Sequence, residues 1–299
     1  MKKILVSGAS GLIGKKLCNV LHSKGYQVET LVRSRKAKSE FKSYLWDYEH
    51  AFIEDGALQN TTVFINLAGA TISKRWTKSY KKEIYDSRIN SSQFIFDEMT
   101  RRNVFPQAVI SSSATGFYGQ LTSEKIFFED DPASHDFLGM VCRDWEEKAV
   151  QFEKLGSRVV RIRTSTVLSR SGGALAVLRK PVDYHVGAVL GDGQQYFPWI
   201  HIDDLVAIYV KAVEDASMNG AYNAAAPDFV NNKILTQKIA NHLGQKIWLP
   251  NIPKLIIRTM LGEMSCIALE GSRVSSDKIQ KAGFRFQFAD LDTALSDVL

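Results

Sequence analysis

The sequence predicts an α/β fold: a doubly wound parallel sheet, with a smaller lobe built from the C-terminal part of the chain. Three observations predict it. Lys2 to Val6 (KKILV) is a short apolar run with β-branched content, followed at once by Ser7, Gly8, Ala9, Ser10, Gly11, Leu12, Ile13 and Gly14. An amphipathic stretch then runs to about Lys24, so the first unit reads strand, glycine turn, helix. Strand-like and helical stretches go on alternating to Val159–Arg163 (VVRIR), and the alternation loosens beyond Pro181.

A buried strand, a glycine turn and a helix N-terminus are what a dinucleotide pyrophosphate needs, which makes the sheet Rossmann-type. Gly8 allows the tight turn, Gly11 lets backbone approach the phosphates without a Cβ, and Gly14 lets the helix lie close to the sheet. Gly8, Ser10, Gly11, Leu12, Ile13 and Gly14 are therefore the first cofactor-binding candidates. A tight turn in a sheet that has lost its ligand is the plainer alternative.

Gln27–Val32 (QVETLV) reads as the second strand and delivers Arg33 at its end. Dehydrogenases that choose NAD usually place an acid here to hold the ribose hydroxyls. This chain offers Arg33, Ser34, Arg35, Lys36 and Lys38, a seat for the 2′-phosphate of NADP, or else a solvated basic loop. NADP is the expected cofactor, with NAD second. Tyr44–Trp46 reads as a short third strand, leaving Asp47 near the adenine edge. Thr62–Leu67 is the fourth, ending in Asn66, Leu67, Ala68, Gly69 and Ala70, where small residues let backbone pass near a nucleoside. A long helix follows over about Trp76–Arg101, with Ile84, Ile89, Phe94, Ile95 and Met99 as its apolar positions.

Pro106 opens the fifth strand, Gln107–Ile110, which runs into Ser111, Ser112, Ser113, Ala114, Thr115, Gly116, Phe117, Tyr118 and Gly119. Hydroxyls gathered at a strand end lie where open α/β sheets bind substrates; a serine-rich loop capping the next helix is the alternative. Residues 120–135 are acidic and irregular and could cover the site. Asp136 caps a helix through about Leu155, with Phe137, Leu138, Val141, Cys142 and Trp145 as its apolar positions. Gly172 and Gly173 open a helix that Pro181 ends. Gly191–Gln195 form a turn before Phe197, Pro198, Trp199, Ile200 and His201. Asp203 and Asp204 begin a helix to about Glu214, with Asp204 placed for the helix dipole. Tyr222–Ala225 make a short strand, and Asn231 or Asn232 caps a helix that Gly244 stops.

Composition narrows the partners. The 299 residues are 45% hydrophobic and 23% charged, ordinary for a globular protein. Lys and Arg number 38 against 32 acids, a net +6 that fits an anionic ligand and is too diffuse for nucleic acid. Three cysteines, Cys18, Cys142 and Cys266, give neither a metal spacing nor a disulfide framework, so a reducing, cytoplasmic setting is expected and no metal. No stretch of 18 uncharged apolar residues is present, so no membrane span is expected, and the glycines after the first apolar run leave no room for a signal peptide.

With these residues in view, the chain resembles the extended, atypical short-chain dehydrogenase/reductase superfamily, which GxxGxxG suits better than GxGxxG. Within it the resemblance is to the NAD-dependent epimerase/dehydratase family, YfcH-like branch, whose members are sometimes labelled cell division inhibitors. It rests on Gly8/Gly11/Gly14, Asn66–Gly69, Arg75-Trp76, Ser112–Gly119, Phe137-Leu138 with Cys142 and Trp145-Glu146, Arg163 with Val167-Leu168, and Gly172-Gly173. Gly191–Gly193, Pro198–His201 with Asp203-Asp204, Leu261–Met264, Arg273-Val274, Lys278 and Gly283-Phe284 complete it. The resemblance implies a Rossmann domain over about 1–165, rejoined by about 200–225, a substrate lobe mainly within 166–299, and a homodimer through the long helices.

The superfamily's catalysis uses a Ser or Thr plus a Tyr and a Lys four residues apart, the Tyr moving a proton while nicotinamide carries hydride. The serine position falls on Ser113, or on Ser112 in the other register. The Tyr position falls on Leu138 and the Lys position on Cys142, so that dyad is absent. Ser113 and Tyr118 are then the expected catalytic pair, with Tyr118 standing in. Asn66, Ala68, Gly69 and Ser111 join Arg33 and the glycine turn as cofactor residues; Arg75, Trp76, Ser112, Cys142 and His201 are expected to bind substrate. The expected function is an NADP(H)-binding oxidoreductase or epimerase acting on a small or sugar-like hydroxyl or carbonyl substrate. The alternatives are a non-catalytic NADP(H)-binding sensor or scaffold and, more remotely, a division inhibitor acting by protein contact.

Overall fold

The computed structural model describes residues 2–35 and 40–299. Its core is one eight-stranded sheet. β1 (Lys3–Ser7) is buried from end to end, and α1 (Leu12–Ser23) crosses over to β2 (Gln27–Val32) and β3 (Lys42–Asp47). A two-residue edge strand, β4 (Phe52–Ile53), pairs antiparallel with β3, a hairpin too short to give the sequence a period-2 signal. The chain then jumps to the other side of β1 with β5 (Thr61–Asn66), and α2 (Lys78–Arg101) leads to β6 (Ala108–Ala114).

β7 (Ile126–Phe127), α3 (Phe137–Val150), β8 (Arg158–Thr164), β9 (Thr166–Leu168), α4 (Ala174–Asp183), β10 (Trp199–His201), α5 (Ile202–Glu214) and β11 (Gly220–Ala224) follow. α6 (Asn232–His242), α7 (Lys254–Leu261), α8 (Cys266–Leu269), β12 (Arg273–Val274), α9 (Asp277–Lys281) and α10 (Leu291–Val298) complete the chain.

The strand order is β11-β8-β6-β5-β1-β2-β3-β4, parallel except at the β3–β4 edge. The winding therefore reverses between β1 and β5, where Ser7 and Asn66 are in register at the carboxyl ends. A crevice at that reversal is where doubly wound sheets bind ligands.

Strand side chains alternate between faces. Ile4 and Val6 face α1 and α5, packing with Leu17, Leu21, Leu205 and Tyr209. Leu5 faces the other way, with Phe64, Val109 and Val159, against Ile95 and Met99 of α2 and Ala149 of α3. Each such side chain contributes about 1.5–3 kcal/mol on burial. A separate core of Leu168, Leu175, Trp199, Leu235, Ile239, Phe288, Leu291 and Leu295 joins α4, α6 and α10.

Three expectations change. The fifth strand continues to Ala114, so Ser111, Ser112 and Ser113 are strand residues pairing with Arg161–Arg163 of β8, not loop. Pro181 does not end its helix; it lies in the last turn of α4, whose chain still closes with Tyr184 N–H to Lys180 and Val186 N–H to Pro181. The acidic stretch is not wholly irregular, since β7 within it pairs with β12.

Candidate functional site

Three glycines shape the turn after β1. Gly8 has φ +71°, and a Cβ there would fall 2.5 Å from the Leu67 carbonyl oxygen. A Cβ at Gly14 would fall 2.4 Å from the Gly8 oxygen, so α1 touches the turn backbone to backbone. Gly11 differs: it is exposed, and a Cβ there would meet only the Gly8 oxygen, at 3.4 Å. The fold thus needs Gly8 and Gly14 for its own packing, while the bare backbone at Gly11 leaves room for an outside group. Gly11 caps α1 without a side chain, and the first helical turn carries no acid, so its N–H groups stay available to an anion. Ser10 is exposed beside it, and Leu12 and Ile13 are half-buried. A Cβ at Gly173 would lie 3.1 Å from Leu12 Cδ2, which brings the loop before α4 over the same turn.

Asn66 fastens the crevice. Its Oδ1 accepts from Ser7 Oγ (2.7 Å) and from the Ala68 N–H (3.3 Å), and its Nδ2 donates to Ser92 Oγ (2.8 Å). Those bonds tie β1, β5 and α2 together beside Ala68 and the exposed Gly69. Ser111, expected to touch cofactor, is buried and donates to the Ser112 carbonyl at 3.1 Å.

At the end of β2, Arg33 is exposed and has no carboxylate partner among the described residues. Arg35 is taken by Glu54 at 2.5 Å, and Glu54 also accepts from the Leu45 N–H. Lys36 and Lys38 lie outside the described residues. Asp47 is occupied by its own turn, accepting from the Glu49 and His50 N–H groups and pairing with the His50 ring.

The expected catalytic pair has another use. Ser113 and Tyr118 are each 3% exposed. Ser113 Oγ donates to Glu146 Oε1 (2.7 Å), and Tyr118 O–H donates to Asn223 Oδ1 (2.7 Å) while accepting from Arg163 Nη1 (2.8 Å). Arg163 in turn binds Glu146 through Nε (2.8 Å) and Nη2 (3.0 Å). Burial drives the Tyr118 hydroxyl well above its usual pKa despite Arg163. Both hydroxyls of the expected catalytic pair therefore belong to a buried network.

The substrate-side expectations divide. His201 is fully buried: its Nδ1 caps α5 by accepting from the Asp203 N–H, its Nε2 meets Asp297 at 3.1 Å, and its ring lies 3.7 Å from that of Phe288. Asp204 likewise reaches away from its own helix, accepting from the Gln287 and Phe288 N–H groups. Ser112 shares a 2.5 Å bond with Tyr209. Trp76 is buried, donating to the Ile72 carbonyl and edge-on to Phe137. Cys142 is buried next to Gly116, and burial pushes its thiol up to about 12. Arg75 is exposed.

Two groups escaped the sequence reading. Thr115, named in the run after the fifth strand but given no role there, is half-buried just past β6. Arg88 of α2 packs its guanidinium under Gly69, where a Cβ would fall 3.0 Å from Cζ. Its signal was an arginine on the inward stripe of a helix with no acid three or four residues away. Among the described residues no group of three metal-ligating side chains occurs, and no helix is long and apolar enough to cross a membrane.

With this geometry in place, the pattern of the NAD dependent epimerase/dehydratase family matches residues 4–225. The chain belongs to this family. Residues 252–298 match a domain of unknown function, DUF1731. An epimerase family protein of Staphylococcus aureus (strain NCTC 8325 / PS 47) is 35% identical over 303 residues, covering 100% of this chain and 99% of that protein. The crystal structure of the human epimerase family protein SDR39U1 (isoform 2) with NADPH superposes with TM-score 0.88 at 29% identity, covering 99% of this chain and 98% of that one. A nucleoside-diphosphate sugar epimerase from Corynebacterium glutamicum gives TM-score 0.80 at 30% identity over 99% of this chain, which spans 57% of that longer chain.

As a member of the epimerase/dehydratase family, the protein is an NAD(P)-binding enzyme of epimerase or reductase type with a small-molecule substrate. The chain fits that cofactor: at Gly11 a Cβ would meet only the Gly8 oxygen, so the turn is open on that side, and the helix end behind it has neither a side-chain cap nor an acid in its first turn. When bound, the nicotinamide ring supplies the hydride chemistry that no amino-acid side chain provides.

Proposed function

We propose that this epimerase/dehydratase-family protein works with NADP(H) as an oxidoreductase or epimerase of small, sugar-like hydroxyl or carbonyl compounds. The observation that carries the cofactor choice is the exposed Arg33 at the end of β2, which has no carboxylate partner among the described residues and stands where an acid would repel a 2′-phosphate. The human relative solved with NADPH, at 29% identity, supports the same choice; relatives solved with NAD are 14–19% identical and speak for the fold alone. In this reading the backbone from Gly8 to Gly14 holds the pyrophosphate, and Asn66 positions the chain so that Ala68 and Gly69 leave room for the nicotinamide half. The region 166–299 supplies the substrate lobe. The sugar-like substrate class is suggested by the Corynebacterium relative. Membership of the YfcH-like branch and a homodimer through α2 and α3 belong to the same proposal; sedimentation velocity checks the dimer.

Calorimetric titration with NADPH and NADH tests the cofactor reading. NADPH should bind about tenfold to a hundredfold more tightly; equal affinities would overturn it.

A second reading, a non-catalytic NADP(H) sensor, is favoured by Leu138 and Cys142 in the dyad positions and by the buried Tyr118. Incubating the protein with NADP(H) and a panel of sugars and keto-sugars, and following both the NADPH absorbance and the sugar products by NMR, separates the two: a reductase consumes NADPH, an epimerase changes the sugar without net NADPH loss, and a sensor changes neither.

A further inference from the structure

Among the described residues, Arg88 is a cation without a counter-charge. It stands on the inward side of α2, whose buried residues include Ile84, Ser91, Ser92 and Ile95. The residues three and four away are Tyr85, Ile84, Ser91 and Ser92, and no carboxylate pairs with Arg88 among the described residues. Its Nη1 donates to the Ile84 carbonyl (2.9 Å) and its Nη2 to the Ala70 carbonyl (3.0 Å). Of the five N–H donors of a guanidinium, three are left with no acceptor among the described residues. Arg88 is half-buried, and its Cζ lies 5.2 Å from the ring centroid of Trp145, whose buried indole N–H has no acceptor among the described residues. Donors are in excess at this spot, and what is lacking is an acceptor.

Other arginines show what a purely structural role looks like in this chain. Arg163 is neutralised by Glu146. Arg158 donates to the Ala212 carbonyl in the last turns of α5, where the helix end and the nearby Asp215 carboxylate compensate it. Arg88 has neither device, and burial pulls its guanidinium below the usual arginine value. Its neighbours are the backbone after β5 at Gly69 and Ala70 and, from α3, Cys142 beside Gly116. In a sheet that reverses between β1 and β5, this is the side opposite the β2 end.

We propose that Arg88 is the anion seat of the substrate site, taking a carboxylate or phosphate oxygen of the small-molecule substrate between Gly69 and α3. The inference rests on the cofactor reading for the placement of the substrate at this end of the crevice. A charge-assisted, two-pronged contact from a planar guanidinium suits such an oxyanion, and the carbonyls of Ile84 and Ala70 hold the plane of the guanidinium in advance.

The test is calorimetric titration of the full-length protein, saturated with NADP⁺ so that Arg33 and the glycine turn are occupied, with oxalate, inorganic phosphate and neutral oxamide in turn. One of the two anions should bind in the millimolar range or better, which tells carboxylate from phosphate, and oxamide should not. Arg88→Gln should weaken that binding about tenfold or more, leave NADP⁺ affinity within about twofold, and Arg88→Lys should restore part of the loss. Failure of both anions to bind the wild type, or equal binding by Arg88→Gln, overturns the proposal, and the wild-type titration decides even should a variant not fold. A protein that binds no NADP⁺ would instead sink the cofactor reading, and the same comparison on the cofactor-free protein still decides Arg88.

Discussion

Arg163 and Glu146 form a two-pronged ion pair, 2.8 Å and 3.0 Å, with both side chains only 4% exposed. The pair comes from β8 and α3; Glu146 Oε1 also accepts from Ser113 Oγ, and the third guanidinium nitrogen, Nη1, donates to the Tyr118 hydroxyl. Burial by itself disfavours the charged Arg163, but the bonds to Glu146 outweigh it and hold the guanidinium above its usual pKa. The guanidinium also stacks on Phe117, 3.5 Å from its centroid.

Removing one partner strands a buried charge. Glu146→Gln should cost about 3–5 kcal/mol of stability, read as the midpoint shift in urea. Glu146→Gln combined with Arg163→Met should recover part of that loss. Additive costs in the double variant would show that the two side chains do not act as a pair.

Tyr118→Phe removes one hydroxyl between Arg163 and Asn223 and should cost about 1–3 kcal/mol, with NADP(H) affinity unchanged by calorimetry. Should a turnover assay be found, its rate in Tyr118→Phe should keep the wild-type pH profile. A profile that loses a limb in this variant would restore Tyr118 as a proton carrier.

The glycines of the first turn should separate folding from binding. Gly14→Ala forces a Cβ to within 2.4 Å of the Gly8 oxygen and should lower the melting temperature sharply. Gly11→Ala meets nothing nearer than 3.4 Å, so the protein should stay folded and lose most of its nucleotide affinity. Unchanged affinity in Gly11→Ala would mean the turn does not carry the phosphates.

Arg33→Ala should erase most of the preference for NADPH over NADH, a contact worth about 1.5–3 kcal/mol, while NADH binding stays the same. The effect should shrink as salt rises, because Arg33 is exposed.

His201 should make stability fall in mild acid. Burial lowers its pKa from the ordinary 6.5, against the raising influence of Asp203, Asp297 and Asp204. The unfolded chain then takes up the proton first, so this contribution is whole above about pH 6.5 and declines as pH falls below it. Protonation of Nδ1 would also break the cap on the Asp203 N–H. Urea midpoints measured at about pH 7.5 and about pH 5.5 should differ less in His201→Asn, which can still cap the helix; an unchanged difference would assign the acid loss elsewhere.

The doubly wound sheet, the glycine turn and the basic end of β2 were legible in the sequence because they depend on local chemistry. Apolar alternation makes β1, Asp136 caps α3 with a bond to the Gly139 N–H, and Asn231 caps α6 through the Ile234 N–H. Each of these needs only neighbours within a few residues.

The fate of the polar side chains was decided by tertiary structure alone. Ser113, Tyr118 and His201 look like site residues in one dimension, because hydroxyls and an imidazole stand near strand ends. Their partners are far away in the chain: Tyr118 meets Asn223, Ser112 meets Tyr209, and His201 meets Asp297. Arg88 is the converse case: the sequence shows only that no acid lies within one helical turn of it, and it takes β5, α2 and α3 closing around it to show that no distant carboxylate among the described residues reaches it either. A buried polar atom must find a partner wherever the fold puts one, and that pairing follows from packing across the sheet, which no local pattern encodes.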